Sequence, residues 1–232
     1  MRIVIVGNGK MGQAVAAQAE SRGHIIHTII GVSGNEGGRA LTAERLRGAD
    51  AAVEFTRPDA VVANLERLIE AGVPTVTGTT GWQDELPRIE ALVARRGGAL
   101  LHAANFSVGV HLFLRAARDL ARRFAGRPEL DAFILEEHHA AKLDAPSGTA
   151  RELQAGLREA DPHRSFPITS VRAGATPGNH TVAYDGPYER VTLAHETRSR
   201  DGFAAGALAA AEWLPGHPGV HTMEDMLFGA DG

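Results

Sequence analysis

The chain has 232 residues, 44% of them hydrophobic and 22% charged, a composition typical of a globular protein with room for one large domain or two smaller ones. Its formal net charge of −4 argues against general affinity for nucleic acids, and the absence of cysteine excludes disulfides, thiolate catalysis and cysteine-ligated zinc. No signal peptide is evident, and no apolar stretch approaches the roughly 18–20 residues of a membrane helix. We therefore expect a cytoplasmic protein that binds neither nucleic acid nor a membrane.

The first half of the chain alternates short apolar runs with helical patterns. Strands are expected at residues 2–6, 24–30, 51–55, 74–77 and 99–103. Helices are expected at residues 10–22, 59–71 and 86–96, with a loop and a short helix within 31–49, and Asp59 is expected to cap the second long helix. Strands alternating with helices predict an α/β fold with a Rossmann-type, doubly wound parallel sheet.

The pattern changes after Ser107. The elements expected there are a helix at 110–125, a strand at 133–137, a helix from Ser147, β-rich stretches at 168–173 and 180–195, an alanine-rich helix at 203–214 and a short element at 223–228. This order predicts two domains. Residues 1–107 with 203–232 are expected to form the first domain, because the tail is expected to pack back on the first half, and residues 108–202 are expected to form a second, open-sheet domain.

A glycine-rich turn follows the first predicted strand. Gly7, Gly9 and Gly12 fit the pattern G-x-G-x-x-G, whose glycines permit a tight turn, close approach of a pyrophosphate and close helix packing. Strand, glycines and helix come in the required order, which favours a dinucleotide site over a purely structural turn. The acidic residue expected near the end of the second strand is missing, and Gly31 stands there. With Lys10 in the turn, the cofactor stays open between NADPH and NADH, with a slight preference for NADPH.

Three later loops follow predicted strands, at 55–58, 78–81 and 103–107. Open α/β sheets bind their ligands at the carboxyl ends of the strands. The small and hydroxyl residues of these loops would let a nicotinamide ribose pass close to the backbone. Each loop alone is an ordinary turn, but the three together with the glycine turn strengthen the prediction of a dinucleotide site.

The second site signal is a fifteen-residue run at 136–150, EEHHAAKLDAPSGTA. His138 and His139 follow a strand, so their side chains are expected on opposite faces. Lys142 contributes an amine four positions after His138. Because the run contains no H-x-x-x-H spacing, no metal site is expected.

The end of the same run resembles the start of a helix. Ser147 is expected to cap it, and the N–H groups of Gly148 and Thr149 could hold a carboxylate. Nearby histidine and lysine side chains would add charge-assisted donors, which suits a small dicarboxylate substrate. The alternative is a capped helix beside solvated charges.

Residues 138–150 closely resemble the signature of the dihydrodipicolinate reductase family, now called 4-hydroxy-tetrahydrodipicolinate reductases, and this pattern is highly specific. The resemblance extends over nearly the whole chain. It includes residues 7–12, 54–56, 78–81, 103–109 and 170–174, Gly178, His180, His195, Arg200 and 203–207.

The resemblance implies an NAD(P)H-dependent reductase of diaminopimelate and lysine biosynthesis. His138 would be the proton donor and acceptor and Lys142 a second proton donor, while His139, Ser147, Gly148 and Thr149 would hold the dicarboxylate. The residues expected to line the cofactor are Gly7, Asn8, Gly9, Lys10, Met11, Gly12, Gly78, Thr79, Thr80, Ala103, Ala104, Asn105 and Phe106. The second domain would be an α+β substrate-binding domain whose open mixed sheet assembles a homotetramer.

Two departures from the family pattern stand out. Gly31 replaces the acid that would favour NADH, and the chain looks short, with few residues between Ala125 and the signature. Another two-domain dehydrogenase, of the aspartate or homoserine type, and a non-catalytic nucleotide sensor are the alternatives. The His-His, Lys and Pro-Ser-Gly-Thr elements argue against the first alternative, and the retained proton donors argue against the second.

Overall fold

The computed structural model describes residues 1–199 and 201–229. Residue 200 and residues 230–232, which belong to the predicted second and first domains respectively, lie outside the described part. The chain divides into two compact units, one formed by residues 1–108 with the segment from Asp201 onward, and the other starting at Gly109. Each unit has its own sheet and its own hydrophobic core.

The first unit contains a six-stranded sheet in which every pairing is parallel. Its strands are β1 (Arg2–Val6), β2 (Ile25–Ile30), β3 (Ala51–Glu54), β4 (Thr75–Thr77), β5 (Ala99–His102) and β10 (Gly219–His221). Their order is β10-β5-β4-β3-β1-β2. The chain moves from β1 to one neighbour and then returns to the other side, so the order reverses between β1 and β3, the position where doubly wound sheets bind ligands.

Helices cover both faces of this sheet. They are α1 (Lys10–Ser21), α2 (Ala43–Leu46), α3 (Pro58–Glu70), α4 (Leu86–Arg96), α7 (Asp201–Trp213) and α8 (Met223–Phe228). Helices α1, α7 and α8 share one core cluster with the strands, while α2, α3 and α4 supply the clusters of the other face. Small side chains let α7 approach closely, since a Cβ at Gly206 would lie 1.8 Å from the carbonyl oxygen of Phe106.

The second unit is a four-stranded mixed sheet with two helices. Its elements are α5 (Val108–Phe124), β6 (Asp131–His138), α6 (Gly148–Ala160), β7 (Ile168–Arg172), β8 (Asn179–Asp185) and β9 (Arg190–Glu196). The strand order is β7-β6-β8-β9, with β6 parallel to β7 and antiparallel to β8. Both helices contribute to the core on one face, where every second residue of β6 from Ala132 to His138 is buried.

The predicted fold class is confirmed, and most element bounds agree within one or two residues. Three details differ. The predicted cap of α3 is wrong, because Arg57 is the N-cap residue and Pro58 occupies the first turn, which leaves Asp59 inside the helix. The β-rich stretch at 180–195 is two strands joined as a hairpin, and β10 was not expected, because three residues are too few to show a periodic pattern.

Candidate active site

The end of β6 places two chemically important side chains on the buried face of the second unit. Glu136 and His138 are two residues apart, so both point towards the helices. Glu136 is fully buried and His138 is 8% exposed. Because β6 lies between β7 and β8, these side chains can meet partners from both neighbouring strands.

Glu136 is held by several donors. Arg172 Nη2, on β7, donates to Glu136 Oε1 over 2.6 Å, and the backbone N–H of Ser147 lies 3.4 Å from the same oxygen. The second oxygen, Oε2, forms a close ion pair with His138 Nδ1. Burial alone raises the pKa of Glu136, but the hydrogen bonds from Arg172 and Ser170 and the neighbouring positive charges outweigh it and lower the pKa to about 2. Glu136 is therefore a carboxylate at any physiological pH.

His138 is balanced between opposite influences. Burial lowers the pKa of its imidazole, the Glu136 carboxylate opposes that effect, and the charges of Lys142 and Arg172 reinforce it, so the net pKa lies below the ordinary value. Since Nδ1 faces Glu136, Nε2 is the ring nitrogen left for other chemistry. A Cβ at Gly178 would lie 2.8 Å from Nε2, so a glycine there keeps that side of the ring clear.

His180 adds a second buried imidazole from β8, where it pairs in register with Glu136. Its ring centroid lies 5.3 Å from that of His138, edge to face, and its Nε2 lies 3.1 Å from Ser147 Oγ. Burial, with a smaller effect from the charge of His138, lowers the pKa of His180 to about 4. His180 is therefore neutral near pH 7, and it links His138 to the start of α6.

The N-terminus of α6 lies beside this cluster. Ser147 is the N-cap residue, and its Oγ accepts from the backbone N–H of Ala150 over 3.2 Å. The first turn of a helix leaves N–H groups without intrahelical partners, here those of Gly148 and Thr149, and a Cβ at Gly148 would meet no atom within 4 Å. The helix start can therefore accept an anion from the open side.

Lys142 and His139 flank the cluster. Lys142 is partly buried, and its Nζ donates to Asp144 Oδ1 over 2.7 Å. His139, just after β6, is half-buried, and its backbone N–H donates to Thr176 O. The chain contains two lysines among its 24 basic residues, Lys10 and Lys142, and each stands in one of the two predicted site segments.

The same cluster meets a simple geometric criterion for a metal site. One ligand atom from each of Glu136, His138 and His180 lies within 4.8 Å of the other two. These three side chains meet because their strands pair, so no short-range spacing of ligand residues in the sequence predicts the cluster. However, Glu136 already pairs with Arg172 and His138, and a cation would have to displace those contacts. The arrangement is better described as a carboxylate that orients an imidazole than as a metal centre.

In the first unit, the three glycines of the turn after β1 have different surroundings. A Cβ at Gly7 would lie 2.0 Å from Phe55 O, and one at Gly12 would lie 1.8 Å from Gly7 O, so both positions are closed by packing. By contrast, a Cβ at Gly9 would meet nothing within 4 Å. Gly9 is the N-cap residue of α1, whose first turn carries no acidic residue. This open helix terminus fits a pyrophosphate group.

The loops after β3, β4 and β5 meet around one aromatic ring. A Cβ at Gly78 would lie 1.9 Å from the ring of Phe55, and Phe55 packs edge to face against Phe106 with centroids 5.8 Å apart. In the same loop, Asn105 Oδ1 accepts from Ser107 N over 2.8 Å. The first unit thus brings together the predicted cofactor segments around Gly9, Gly78 and Phe106, at the carboxyl ends of adjacent strands.

The structure gives a steric reason for the absence of an acidic residue at the end of β2. A Cβ at Gly31 would lie 3.1 Å from the Asn8 side chain, so an acidic side chain there would crowd the glycine turn. A cleft of about 190 Å³ opens beside it, lined by Val32, Asn35, Glu36, Gly37, Thr56, Arg57, Asp59, Ala60 and Asn64. The cleft holds charges of both signs, since Arg57 pairs with Asp59 over 3.0 Å and Glu36 pairs closely with Arg39.

Comparison with known proteins decides the family. Residues 1–106 match the family model described as dihydrodipicolinate reductase, N-terminus, and residues 109–227 match its C-terminus counterpart. The chain belongs to the dihydrodipicolinate reductase family.

Individual members of the dihydrodipicolinate reductase family agree with this assignment. The 4-hydroxy-tetrahydrodipicolinate reductase of Christiangramia forsetii is 33% identical over 98% of both chains, and that of Myxococcus xanthus is 39% identical over 82% of this chain and 74% of its own length. The expectation that the chain is short for the family does not hold against the first relative, which matches over 98% of both lengths, whereas the second relative is matched over only 74% of its own length. Neither alternative family is supported by these matches.

Solved structures agree on the fold. A dipicolinate-bound dihydrodipicolinate reductase from Paenisporosarcina sp. TG-14 superimposes with a TM-score of 0.83 over 98% of this chain and 99% of that chain, at 22% identity. A probable dehydrogenase from Thermotoga maritima superimposes with a TM-score of 0.61 at 11% identity. At this identity the likeness shows a shared architecture alone. Among the described residues, no helix is both long and apolar enough to span a membrane.

Three residues of the site were not assigned roles from the sequence. Arg172 and His180 lie in segments that resemble the family, and Glu136 begins the fifteen-residue run, but their meeting depends on strand register. His138 pairs with Arg172 across β6 and β7, and Glu136 pairs with His180 across β6 and β8. Nothing local in the sequence specifies these pairings.

Proposed function

We propose that this chain reduces 4-hydroxy-tetrahydrodipicolinate to tetrahydrodipicolinate with NADPH or NADH, in diaminopimelate and lysine biosynthesis in the cytoplasm. The observation that carries the proposal is the buried Glu136–His138 pair beside the open N-terminus of α6, in a chain of this family. One end of this arrangement handles a proton and the other holds an anion. Because the product lacks the 4-hydroxyl, the overall change adds a hydride and a proton and releases one water.

The substrate carboxylates bind at the start of α6. The N–H groups of Gly148 and Thr149, with the positive end of the helix dipole, hold one carboxylate, and His139 and Lys142 add donors. Ser147 keeps the helix start in place through its cap bond to Ala150. In the dipicolinate-bound relative the ligand is a dicarboxylate of the same size class. We expect a small dicarboxylate to be the natural partner of this segment.

His138 transfers the proton. Its Nδ1 is held by Glu136, which fixes the tautomer and directs Nε2 towards the side kept clear by Gly178. Because the pKa of His138 is lowered, its protonated form is a stronger acid than an ordinary histidine. Lys142 supplies positive charge and is the alternative donor of that single proton. The bound dinucleotide supplies the hydride.

The dinucleotide lies on the first unit. The turn from Gly7 to Gly12 would hold the pyrophosphate, and the loops at 78–80 and 103–106 would hold the nicotinamide end. The open space over Gly9 and the free first turn of α1 support this placement. No acid stands at the end of β2, so we expect NADPH to be accepted at least as well as NADH. The ratio of kcat/KM for the two cofactors tests this, and a strong NADH preference would contradict it.

We propose a homotetramer assembled through the outer face of the second unit's sheet. Apolar side chains on that face, Phe133, Leu135 and Val171, are partly exposed or exposed. Light scattering after gel filtration gives the mass directly. A Leu135→Lys variant should shift the protein towards smaller species, whereas a monomeric wild-type chain would contradict the proposal.

The activity test couples the purified protein to a synthase that makes the substrate from pyruvate and aspartate semialdehyde. The absorbance of NADPH or NADH should decrease only when the protein is added. The kcat of the His138→Ala variant should be lower than that of the wild type by on the order of 10²–10⁴-fold. Lys142→Ala should also lower kcat strongly, with the fold retained. No enzyme-dependent loss with either cofactor would overturn the proposed reaction, and near-native kcat in both variants would overturn the roles.

The two lysines allow a test that does not depend on turnover. An amine-reactive reagent can modify Lys10, Lys142 and the N-terminus, and peptide mass spectrometry measures each site separately. We expect NADPH to protect Lys10 and pyridine-2,6-dicarboxylate to protect Lys142, with the N-terminus as internal reference. Equal labelling with and without both ligands would contradict the placement of the two sites.

A further inference from the structure

A second buried carboxylate lies in the first unit, away from the acid cluster. Glu54 is the last residue of β3 and is fully buried. Its Oε2 accepts from Thr77 Oγ1 over 2.6 Å and from Thr79 Oγ1 over 2.8 Å. Its Oε1 accepts from Thr56 Oγ1 in a short hydrogen bond and from Asn64 Nδ2 over 3.3 Å. Among the described residues, the partners of the Glu54 carboxylate are neutral hydroxyl and amide donors, and no basic side chain pairs with it.

The donors around Glu54 are ordered by the carboxylate. A carboxylate can only accept hydrogen bonds, so each of the three threonine hydroxyls donates its one hydrogen bond to Glu54. Their oxygens are then left to accept from backbone N–H groups. Thr79 Oγ1 accepts from Thr56 N over 2.8 Å, and Thr77 Oγ1 accepts from Thr79 N over 3.3 Å. The loops after β3 and β4 are thereby joined through side chains that Glu54 orients.

The network also reaches the loop after β2. Asn64 Oδ1 accepts from Asn35 Nδ2 over 2.9 Å, and Asn35 Oδ1 accepts from the backbone N–H of Ala40 over 3.1 Å. Asn35 and Asn64 are both buried. One connected set of buried polar groups therefore ties down three loops at the carboxyl edge of the sheet.

These loops surround the proposed dinucleotide position. Thr56, Asn35 and Asn64 line the cleft beside β2, and Thr79 belongs to the loop expected to contact the cofactor. Phe55, between Glu54 and Thr56, packs against the sites of Gly7 and Gly78 and against Phe106. A shift of the Glu54–Thr56 segment would therefore move the walls of the cofactor site.

We infer that Glu54 is a positioning residue for the dinucleotide: it touches no cofactor atom itself but holds the loops after β2, β3 and β4 in their binding conformation through Thr56, Thr79 and Asn64. The inference rests on the proposed function, because it requires the dinucleotide to bind at this edge. Buried polar networks of this kind are costly unless every member is satisfied, so loss of one acceptor should disturb its neighbours.

Two substitutions test the role, and a third serves as a matched control. Glu54→Gln keeps the size but offers one oxygen and an NH₂ group, so at least one hydroxyl loses its acceptor. Thr77→Val removes one donor to Glu54 and also the acceptor of the Thr79 N–H, so it weakens the link to the loop after β4 while leaving the acid itself in place. Thr75→Val is the control, because Thr75 is a fully buried threonine on the same strand whose Oγ1 donates to Val73 O over 2.8 Å and has no bond to Glu54.

The readouts are the Kd for NADPH by fluorescence titration, the KM of the dicarboxylate substrate, and the melting temperature. We expect the Kd for NADPH to rise about tenfold in Glu54→Gln and about threefold in Thr77→Val, and to change less than about twofold in Thr75→Val. The substrate KM at saturating cofactor should stay within about twofold in all three variants.

The outcomes separate the possibilities. A fall in melting temperature with an unchanged Kd for NADPH in Glu54→Gln and Thr77→Val would show a purely structural network and overturn the inference. If Glu54→Gln does not fold, the Kd for NADPH of Thr77→Val is compared with that of Thr75→Val. Equal values in these two variants would likewise overturn the inference. Failure of the wild-type protein to bind either NADPH or NADH would instead overturn the proposed function.

Discussion

His138 Nδ1 and Glu136 Oε2 form a buried ion pair between residues two apart on β6. The carboxylate is ionised, with a pKa of about 2, and it faces Nδ1, so Nε2 is the ring nitrogen to which we assign the proposed proton transfer. Burial lowers the pKa of His138, and Glu136 is the group that opposes this effect. The pair therefore sets both the orientation and the acidity of the imidazole.

Replacing Glu136 by Gln should change the pH dependence of turnover. Loss of the negative charge removes the opposing influence, so the pKa of His138 falls further and the protonated imidazole is lost at a lower pH. We expect the alkaline limb of the kcat profile to move to lower pH and kcat at pH 7.5 to fall at least about tenfold. Glu137→Gln, its neighbour on the strand, is the control, and identical profiles for Glu136→Gln and wild type would refute the role.

Ser147→Ala should weaken substrate binding as well as stability. The variant removes the N-cap bond to Ala150 and the contact with His180, so we expect a loss of about 1 kcal/mol in unfolding free energy and a severalfold rise in substrate KM. Thr222→Ala removes a comparable cap from α8 in the first unit. It should cost similar stability with no change in substrate KM. A matching KM rise in Thr222→Ala would show that the effect is merely global.

Two glycines of the turn after β1 should respond differently to alanine. A Cβ at Gly12 would overlap Gly7 O, so Gly12→Ala should destabilise the first unit by at least about 2 kcal/mol. A Cβ at Gly9 meets only open space, so Gly9→Ala should keep its melting temperature but weaken NADPH binding at least about tenfold. Denaturant unfolding and cofactor titration measure the two effects. Normal NADPH affinity in Gly9→Ala would contradict the proposed position of the pyrophosphate.

Acid should destabilise the protein in a window set by His180. Its pKa falls from 6.5 to about 4 on folding, so protons bind the unfolded chain better. This contribution is complete above about pH 6.5 and declines as the pH falls towards 4, by on the order of 3 kcal/mol. Glu136, lowered from 4.5 to about 2, adds a second loss below about pH 4.5.

Thermal unfolding between pH 7.5 and 4 tests this window. The melting temperature of His180→Asn should depend less on pH across this range than that of wild type. The surface histidine variant His163→Asn should follow the wild-type curve. Parallel curves for all three proteins would rule out His180 as the source.

Much of the fold follows from local patterns. Apolar runs bounded by glycine or proline place β1 to β5 within one or two residues, and the 3.6-residue period places α4 at its observed bounds. The misses have local causes as well. Pro58 starts α3 with Arg57 as its N-cap, where an acidic cap was expected, and β10 is too short for a period to be visible.

The candidate site divides along a similar line. Ser147 as a helix cap and the glycines of the turn after β1 are features of short segments, and the sequence alone specified them. Arg172 and His180 are 36 and 44 residues from Glu136, and the distances that make them partners arise from the pairing of β6 with β7 and β8. The same holds for Glu54, whose partners Thr77 and Thr79 belong to the next strand and its loop.

The sequence by itself determined the fold class and the family and named His138 and Lys142 as the groups proposed to carry the chemistry, because periodicity, turn residues and the signature segment are local properties of the chain. Only the tertiary structure decided which of those groups act together. Burial and strand register join Glu136 to His138 and Arg172, and Glu54 to three threonines. A carboxylate acquires its role from the donors that surround it in space, and those donors come from strands that the chain brings together only on folding.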